Sequence, residues 1–270
     1  MTRLSQPLHQ RLSTALVHDE FEVNYQPLVD LSTGEIAGAE ALIRWRHHDG
    51  TYAMPGAFIP QCEKTGFIIT LDQWVLKNAC AQAAAWRRKF AANFTVAVNL
   101  SAHQFSHPLL ISVVRDALRQ CGLDAAGLEL EVTESAAMHD ADQSERAIEE
   151  LRALGVRLSL DDFGTGYSSL SYLHRFPFHK LKIDRSFIGD FSGKARGSAI
   201  VGAIVALAQA LDMRVVAEGI ERVDQLTFLR SVRCDVGQGF WFGQAVPAPQ
   251  FERLLEAGHN YYAQMTAAEA

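Results

Sequence analysis

Short apolar runs that stop abruptly in a polar residue, each followed by helical periodicity, recur along most of this chain. Phe21 to Leu31 reads as a strand, Asp30-Leu-Ser-Thr-Gly34 as a turn, and Ile36 to Trp45 as a returning strand. No room is left for a helix between them, so this pair is antiparallel and departs from the pattern that follows. Thr70-Leu-Asp-Gln73 has the form of a capping box. Val75, Ala79, Ala83, Trp86 and Phe90 after it fall on one helical stripe. Strands are expected at Phe94 to Leu100, Leu128 to Val132, Val156 to Leu160, Lys180 to Ile183, Arg214 to Ala217 and Asp235 to Gly239. Helices fall between them near Pro108 to Gln120, from Asp140 to a stop at Gly155, from Ser168, along Ile200, Ile204, Leu207 and Leu211, and near Val223 to Ser231. A last helix follows near Pro249 to Ala257. The best fit is an α/β fold, a (β/α)8 TIM-like barrel with an antiparallel strand pair at its start. A doubly wound open sheet is the rival. Residues 1–20 read as a helical lead-in, 21–258 as the barrel and 259–270 as a C-terminal tail.

Composition narrows the classes. With 270 residues, 48% of them hydrophobic, the chain can bury a full-sized core. Its net charge of −6 comes without a basic stripe, which argues against a duplex nucleic-acid partner. Cys62, Cys80, Cys121 and Cys234 are widely spaced and form no CxxC pair, so a reducing compartment is expected. Met1 to Gln10 has no apolar core, and Ala199 to Leu211 is too short to span a bilayer, so no secretory signal and no membrane segment are expected.

The chemistry sits where the apolar runs end. Glu40 lies inside the second strand, and Asn99, Glu131 and Asp161-Asp162 end the third, fourth and fifth. Lys182, Glu218 and Gln238 stand at the sixth, seventh and eighth. A barrel gathers these ends on one face. Converging carboxylates repel one another unless cations neutralise them. Oxygen donors without His or Cys favour a hard ion, Mg²⁺ or Mn²⁺, and the adjacent aspartates suit two ions with one bridging carboxylate. The bland alternative is a set of exposed loop acids. His103-Gln-Phe-Ser-His107 has zinc-helix spacing, but Gln104 replaces the catalytic Glu and Pro108 follows at once. Gly164-Thr-Gly166 with Asp184 hints at a dinucleotide fold, yet Ser169 replaces the third glycine and two aspartates precede the loop.

At these residues the sequence resembles the EAL-domain family, the bacterial cyclic di-GMP phosphodiesterases. The match runs through Tyr25-Gln26-Pro27, Glu40-Ala41-Leu42, Val98-Asn99-Leu100-Ser101 and Glu131-Val-Thr-Glu134. It continues through Asp161-Asp-Phe-Gly-Thr-Gly-Tyr-Ser-Ser169, Lys182-Ile-Asp184, Ala217-Glu-Gly219 and Gly237-Gln-Gly239, all in order. Phe240 stands where the family often has Tyr. The resemblance implies two-metal hydrolysis of cyclic di-GMP to linear pGpG, with a catalytically silent receptor module as the alternative. It implies Glu40, Asn99, Glu131, Asp161, Asp162 and Glu218 as metal ligands, with Ca²⁺ inhibitory. Lys182, Glu218 and Gln238 would act on the attacking water, Gln238 orienting Glu218. Glu134 would brace the loop Phe163 to Ser169, and Gln26, Leu42 and Arg44 would line the substrate site. It also implies a homodimer in the bacterial cytoplasm, and a sensory or GGDEF domain upstream if the chain is a fragment.

Overall fold

A computed structural model describes residues 8–47, 50–165, 173, 175–189 and 195–267. Eight strands close into a barrel. They are β1 (Phe21–Asp30), β2 (Ile36–Arg46), β3 (Thr95–Leu100), β4 (Leu128–Thr133), β5 (Arg157–Phe163), β6 (Lys180–Ile183), β7 (Arg214–Ala217) and β8 (Val236–Gly237). Neighbours follow chain order from β2 to β8, and β1 closes the ring by pairing with both β2 and β8. That closure removes the open-sheet alternative. Two short strands, Tyr52–Ala53 and Val246–Pro247, extend the margins of β2 and β1.

Of the eight barrel strands, β1 runs against the other seven. The sequence reading set both early strands apart, but β2 pairs parallel with β3, Glu40 opposite Ala97. The tight turn explains this. Asp30 Oδ1 accepts from Ser32 N, Ser32 Oγ and Thr33 N at 3.0, 2.5 and 3.2 Å, and Gly34 takes φ 73°. The chain reverses there, and β2 leaves in the direction that β3 to β8 keep.

The long helix starts earlier than its capping-box signal. It spans Phe67–Lys89 and follows Gly66 at φ 74°, which ends the short helix Ile59–Thr65. Buried Phe67 and Ile68 anchor its first turn, so Thr70 lies inside the helix. The expected stripe holds: Val75, Ala79, Ala83 and Trp86 are buried against the barrel wall. Trp86 stacks on Phe251 at 4.9 Å and meets the edge of Tyr25 at 4.7 Å. The helix expected from Ser168 lies outside the described residues.

Strand alternation sends a separate set of residues inward. Leu28, Ala97, Val216 and Val236 form an apolar cluster of their own inside the barrel. Two buried charged pairs adjoin it, Glu131 with Lys182 towards the C-terminal ends and Glu129 with Lys180 towards the N-terminal ends. The helix Leu8–Val17 packs Leu12 and Ala15 into a second core with Phe21, Trp45 and Phe58. At the other end Tyr261 and Met265 are buried, and the Tyr261 hydroxyl donates to the Phe242 carbonyl.

Candidate active site

Lys182 is the centre of the C-terminal barrel mouth. Its side chain is 1% exposed. Nζ lies 2.6 Å from Glu218 Oε1, 2.7 Å from Glu131 Oε2, 3.4 Å from Asp161 Oδ1 and 3.8 Å from Glu40 Oε1. Burial alone would strip its proton. The carboxylates of Glu131, Glu218, Glu40 and Asp161 outweigh that and push its pKa well above the usual lysine range.

The acids respond unequally. Burial pushes the Glu131 carboxyl well up against the attraction of Lys182, and repulsion from Glu40 and Asp161 adds to the rise. Burial also lifts Glu218 to about 7, against Lys182 and aided by Asp161 and Glu40. Glu40 is equally buried, yet the attraction of Lys182 and hydrogen bonds from Gln238 and Asn99 hold it below the ordinary value. Asn99 Nδ2 donates to Glu40 Oε1 at 2.7 Å, and Gln238 Nε2 donates to Glu40 Oε2 at 2.5 Å.

Adjacent strand residues normally face opposite sides of a sheet, yet Asp161 and Asp162 both line the same cleft. A bulge makes this possible. The β5–β6 register shifts between Leu160 and Phe163, and Asp162 adopts φ 55°. Asp162 N donates to Asp161 Oδ1 at 2.9 Å, while Thr165 N and Oγ1 donate to the Asp162 carbonyl at 3.2 and 2.9 Å. Burial, Asp161 and Asp184 together raise the Asp162 pKa.

The cleft holds about 430 Å³. Gln26, Glu40, Leu42, Asp161, Asp162, Lys182, Glu218 and Gln238 line it as the sequence reading expected. Glu131 lies beneath it, 2% exposed, and Asn99 reaches the site through Glu40. Arg44 is not brought to the wall; one guanidinium nitrogen donates to the Ile43 carbonyl at 2.9 Å. Gln238 differs from its expected role. Its amide nitrogen bonds Glu40 and, at 3.0 Å, Gln26 Oε1, rather than Glu218. Gln26 Nε2 in turn donates to the Gly243 carbonyl at 3.0 Å, which ties the chain after β8 to β1. Gln238 Oε1 is buried without a hydrogen-bond partner among the described residues. Gly239 beside it is required for close approach, because any Cβ there would collide with the Ile220 backbone.

Glu134 is 3% exposed, and its Oε2 accepts from Gly164 N at 3.1 Å, at the start of the loop after Asp162. Residues 166–169 of that loop lie outside the described residues. Arg185 and Glu221 also line the cleft and were not singled out from sequence, although they follow strand ends by two and four residues. Phe240 lines it too, 63% exposed. His103 and His107 share no helix: the turn Ala102–Phe105 is capped by Ser101, and His107 Nδ1 accepts from Leu109 N at 3.2 Å.

The donor chemistry suits hard cations. The acidic and amide side chains at the mouth offer oxygen, one acceptor is orphaned, and four carboxylates lie within 3.8 Å of one ammonium. Among the described residues no three His, Cys, Asp or Glu side chains already converge as a metal cage, because the acids turn on Lys182.

The family model for the EAL domain matches residues 9–245. The chain is 47% identical over 245 residues to the bifunctional diguanylate cyclase/cyclic di-GMP phosphodiesterase MucR of Pseudomonas aeruginosa, covering 91% of this chain and 36% of that protein. It is 45% identical over 250 residues to the cyclic di-GMP phosphodiesterase NbdA of the same organism, covering 93% of this chain and 32% of the relative. The chain thus spans about a third of the length of these curated relatives. Among solved structures, the phosphodiesterase of MucR in complex with c-di-GMP is 46% identical and superposes with a TM-score of 0.88, over 90% of this chain and 99% of that one.

Proposed function

The chain belongs to the EAL-domain family, and from that premise we propose that it hydrolyses cyclic di-GMP in this cleft. One phosphodiester is opened: the water oxygen bonds to phosphorus, the P–O bond to the ribose O3′ breaks, and linear pGpG leaves. The observation that carries this reading is the buried Lys182 amid acids from four strands, with none of the expected ligand types substituted.

Glu40, Asn99, Glu131, Asp161, Asp162 and Glu218 would hold two Mg²⁺ or Mn²⁺ ions. When bound, such ions supply Lewis acidity and lower the pKa of a water. The protein's own groups do the rest. Glu218, lifted to about 7, takes a proton at neutral pH more readily than an ordinary carboxylate. The Lys182 ammonium stays charged beside the point where negative charge develops on the phosphate. Gln238 Oε1 accepts from the attacking water, while its amide fixes Glu40 and Gln26. Leu42 gives the cleft an apolar wall, and Arg44 reaches a phosphate once its bond to Ile43 is released. Glu134 positions Asp162 through the backbone of Gly164. The active unit is a homodimer, which sizing chromatography of the assayed protein checks.

The test is incubation with cyclic di-GMP and Mg²⁺, with nucleotides separated by chromatography. Linear pGpG is expected, and Asp161→Ala should abolish it while thermal melting stays cooperative. Saturable binding without any product would overturn the hydrolase in favour of a receptor module.

A further inference from the structure

The opposite end of the barrel carries a second cleft, of about 550 Å³, framed by the N-terminal ends of β5, β6 and β7. That size lies within the range of small-molecule sites. Four basic residues line it. Two are already matched: Lys180 Nζ lies 2.6 Å from buried Glu129 Oε2, and Arg214 lies 3.0 Å from Asp30 and 3.8 Å from Asp235. The other two are not. Arg152 and Arg157 line the same cleft, and neither has an acidic partner among the described residues. Arg157 makes one hydrogen bond, to Thr95 Oγ1 at 3.3 Å, which leaves most of its guanidinium donors open. The one acid on the lining is the exposed Asp212.

His179 adds a directed donor. Its Nδ1 accepts from Leu158 N at 3.1 Å, so the neutral ring carries its proton on Nε2. Burial first, then Arg152 and Arg157, hold its pKa below the ordinary value against the opposing pull of buried Glu129. Both guanidiniums are therefore close enough to this ring to be felt. Pro177, Phe178 and Leu211 supply an apolar wall beside the three donors. Two guanidiniums without acidic partners on the wall of one cleft, Arg152 exposed and Arg157 half-buried, offer an anion paired hydrogen bonds there.

We propose that this cleft binds a small phosphorylated ligand, its phosphate on Arg152, Arg157 and His179 and its organic part against Pro177, Phe178 and Leu211. It is a site separate from the acidic mouth, at the far end of the same strands. Free phosphate and a nucleoside monophosphate share the headgroup chemistry, and affinity separates them.

The experiment is isothermal titration of the full chain with inorganic phosphate and with guanosine monophosphate, in EDTA so that no divalent ion draws anions to the mouth. Saturable binding at millimolar or lower concentration is expected for both, about 10-fold tighter for the nucleotide if the apolar wall takes part. Equal affinities would overturn the placement of the organic part on the apolar wall. Arg152→Gln and Arg157→Gln should each weaken binding about 10-fold, the loss of one charge-assisted contact, and Glu218→Gln in the mouth should leave it unchanged. Absence of saturation for either probe, or binding that Arg157→Gln leaves intact, would overturn the proposal. So would loss of binding in Glu218→Gln. Melting curves of both arginine variants, matched to the parent, keep a folding defect from imitating the result.

Discussion

Replacing Lys182 by Met tests whether one ammonium holds the barrel mouth together. Methionine fills a similar length without charge, so packing changes little while four carboxylates lose their cation. Breaking a buried ion pair costs about 3–5 kcal/mol when the partner stays charged. Here the partners have a way out. Glu218 already sits near 7 and Glu131 well above the ordinary range, so both take up protons when Lys182 is gone. That uptake offsets part of the cost, so the expected net loss at about pH 8 lies at the low end of the range, ~3 kcal/mol. For a chain of this size that is a melting-temperature drop of roughly 10 °C. The sign with pH follows from linkage. Carboxyls raised in the folded state bind protons there that the unfolded chain releases, so acidification favours the folded variant. The gap to the parent should therefore shrink by about half or more near pH 5.5. The assay is thermal melting of both proteins in EDTA at the two pH values, with turnover in Mg²⁺ measured beside it and expected to fall by ~10²–10³-fold. A Lys182→Met protein that melts with the parent in EDTA at high pH would refute the argument.

Three further outcomes follow from the same geometry. Mg²⁺ or Mn²⁺ should support hydrolysis while Ca²⁺ binds and stalls it, because Ca²⁺–oxygen bonds of about 2.3–2.6 Å spread the reacting groups; equal turnover in Ca²⁺ would contradict this. Glu134→Ala should cut turnover by ~10²-fold and move the Mg²⁺ dependence to higher concentration, since Gly164 and the backbone of Asp162 lose their brace; kinetics across a Mg²⁺ titration measure both. Asp72 is largely buried and accepts from Ser101 Oγ and N at 2.5 and 3.2 Å, and burial raises its pKa from 3.8 to about 6. The stabilisation tied to its proton is full below 3.8 and is lost as pH rises through about 6, so Asp72→Asn should gain on the parent across that window, by up to ~2–3 kcal/mol in denaturant melts.

The barrel was legible because each strand run ended on a polar residue, and those residues are the ones that meet at the mouth. Glu40, Asp161, Lys182, Glu218 and Gln238 all line one cleft, and none of them is close in sequence to more than one other. Direction was harder to read. A turn such as Asp30 to Gly34 reveals that a pair is antiparallel, but not which member is the odd one out; only the pairing of β2 with β3 decides that. Side-chain partners were the least visible. Gln238 meets Glu40 and Gln26 across 198 and 212 residues, and Arg44 turns back on its own neighbour, contacts that no local pattern encodes. Strand alternation alone would also have sent Asp162 to the opposite face from Asp161. Phe67 and Ile68 outweighed the capping signal at Thr70 because buried apolar area in a first turn is worth more than one cap.

The left-handed backbone at Asp162 shapes which changes the chain can survive there. Asn and Gly enter that conformation readily, whereas most other residues strain it by roughly 1 kcal/mol or more. Both are a single-base change from an aspartate codon, and both remove the carboxylate. Mutational drift at this position is thus channelled towards folded chains with a weakened site, while Ala or Val at 162 would confound backbone strain with the lost charge. An inactive relative carrying Asn or Gly here would be expected to keep full stability, and Asp162→Asn is the substitution that isolates the chemistry.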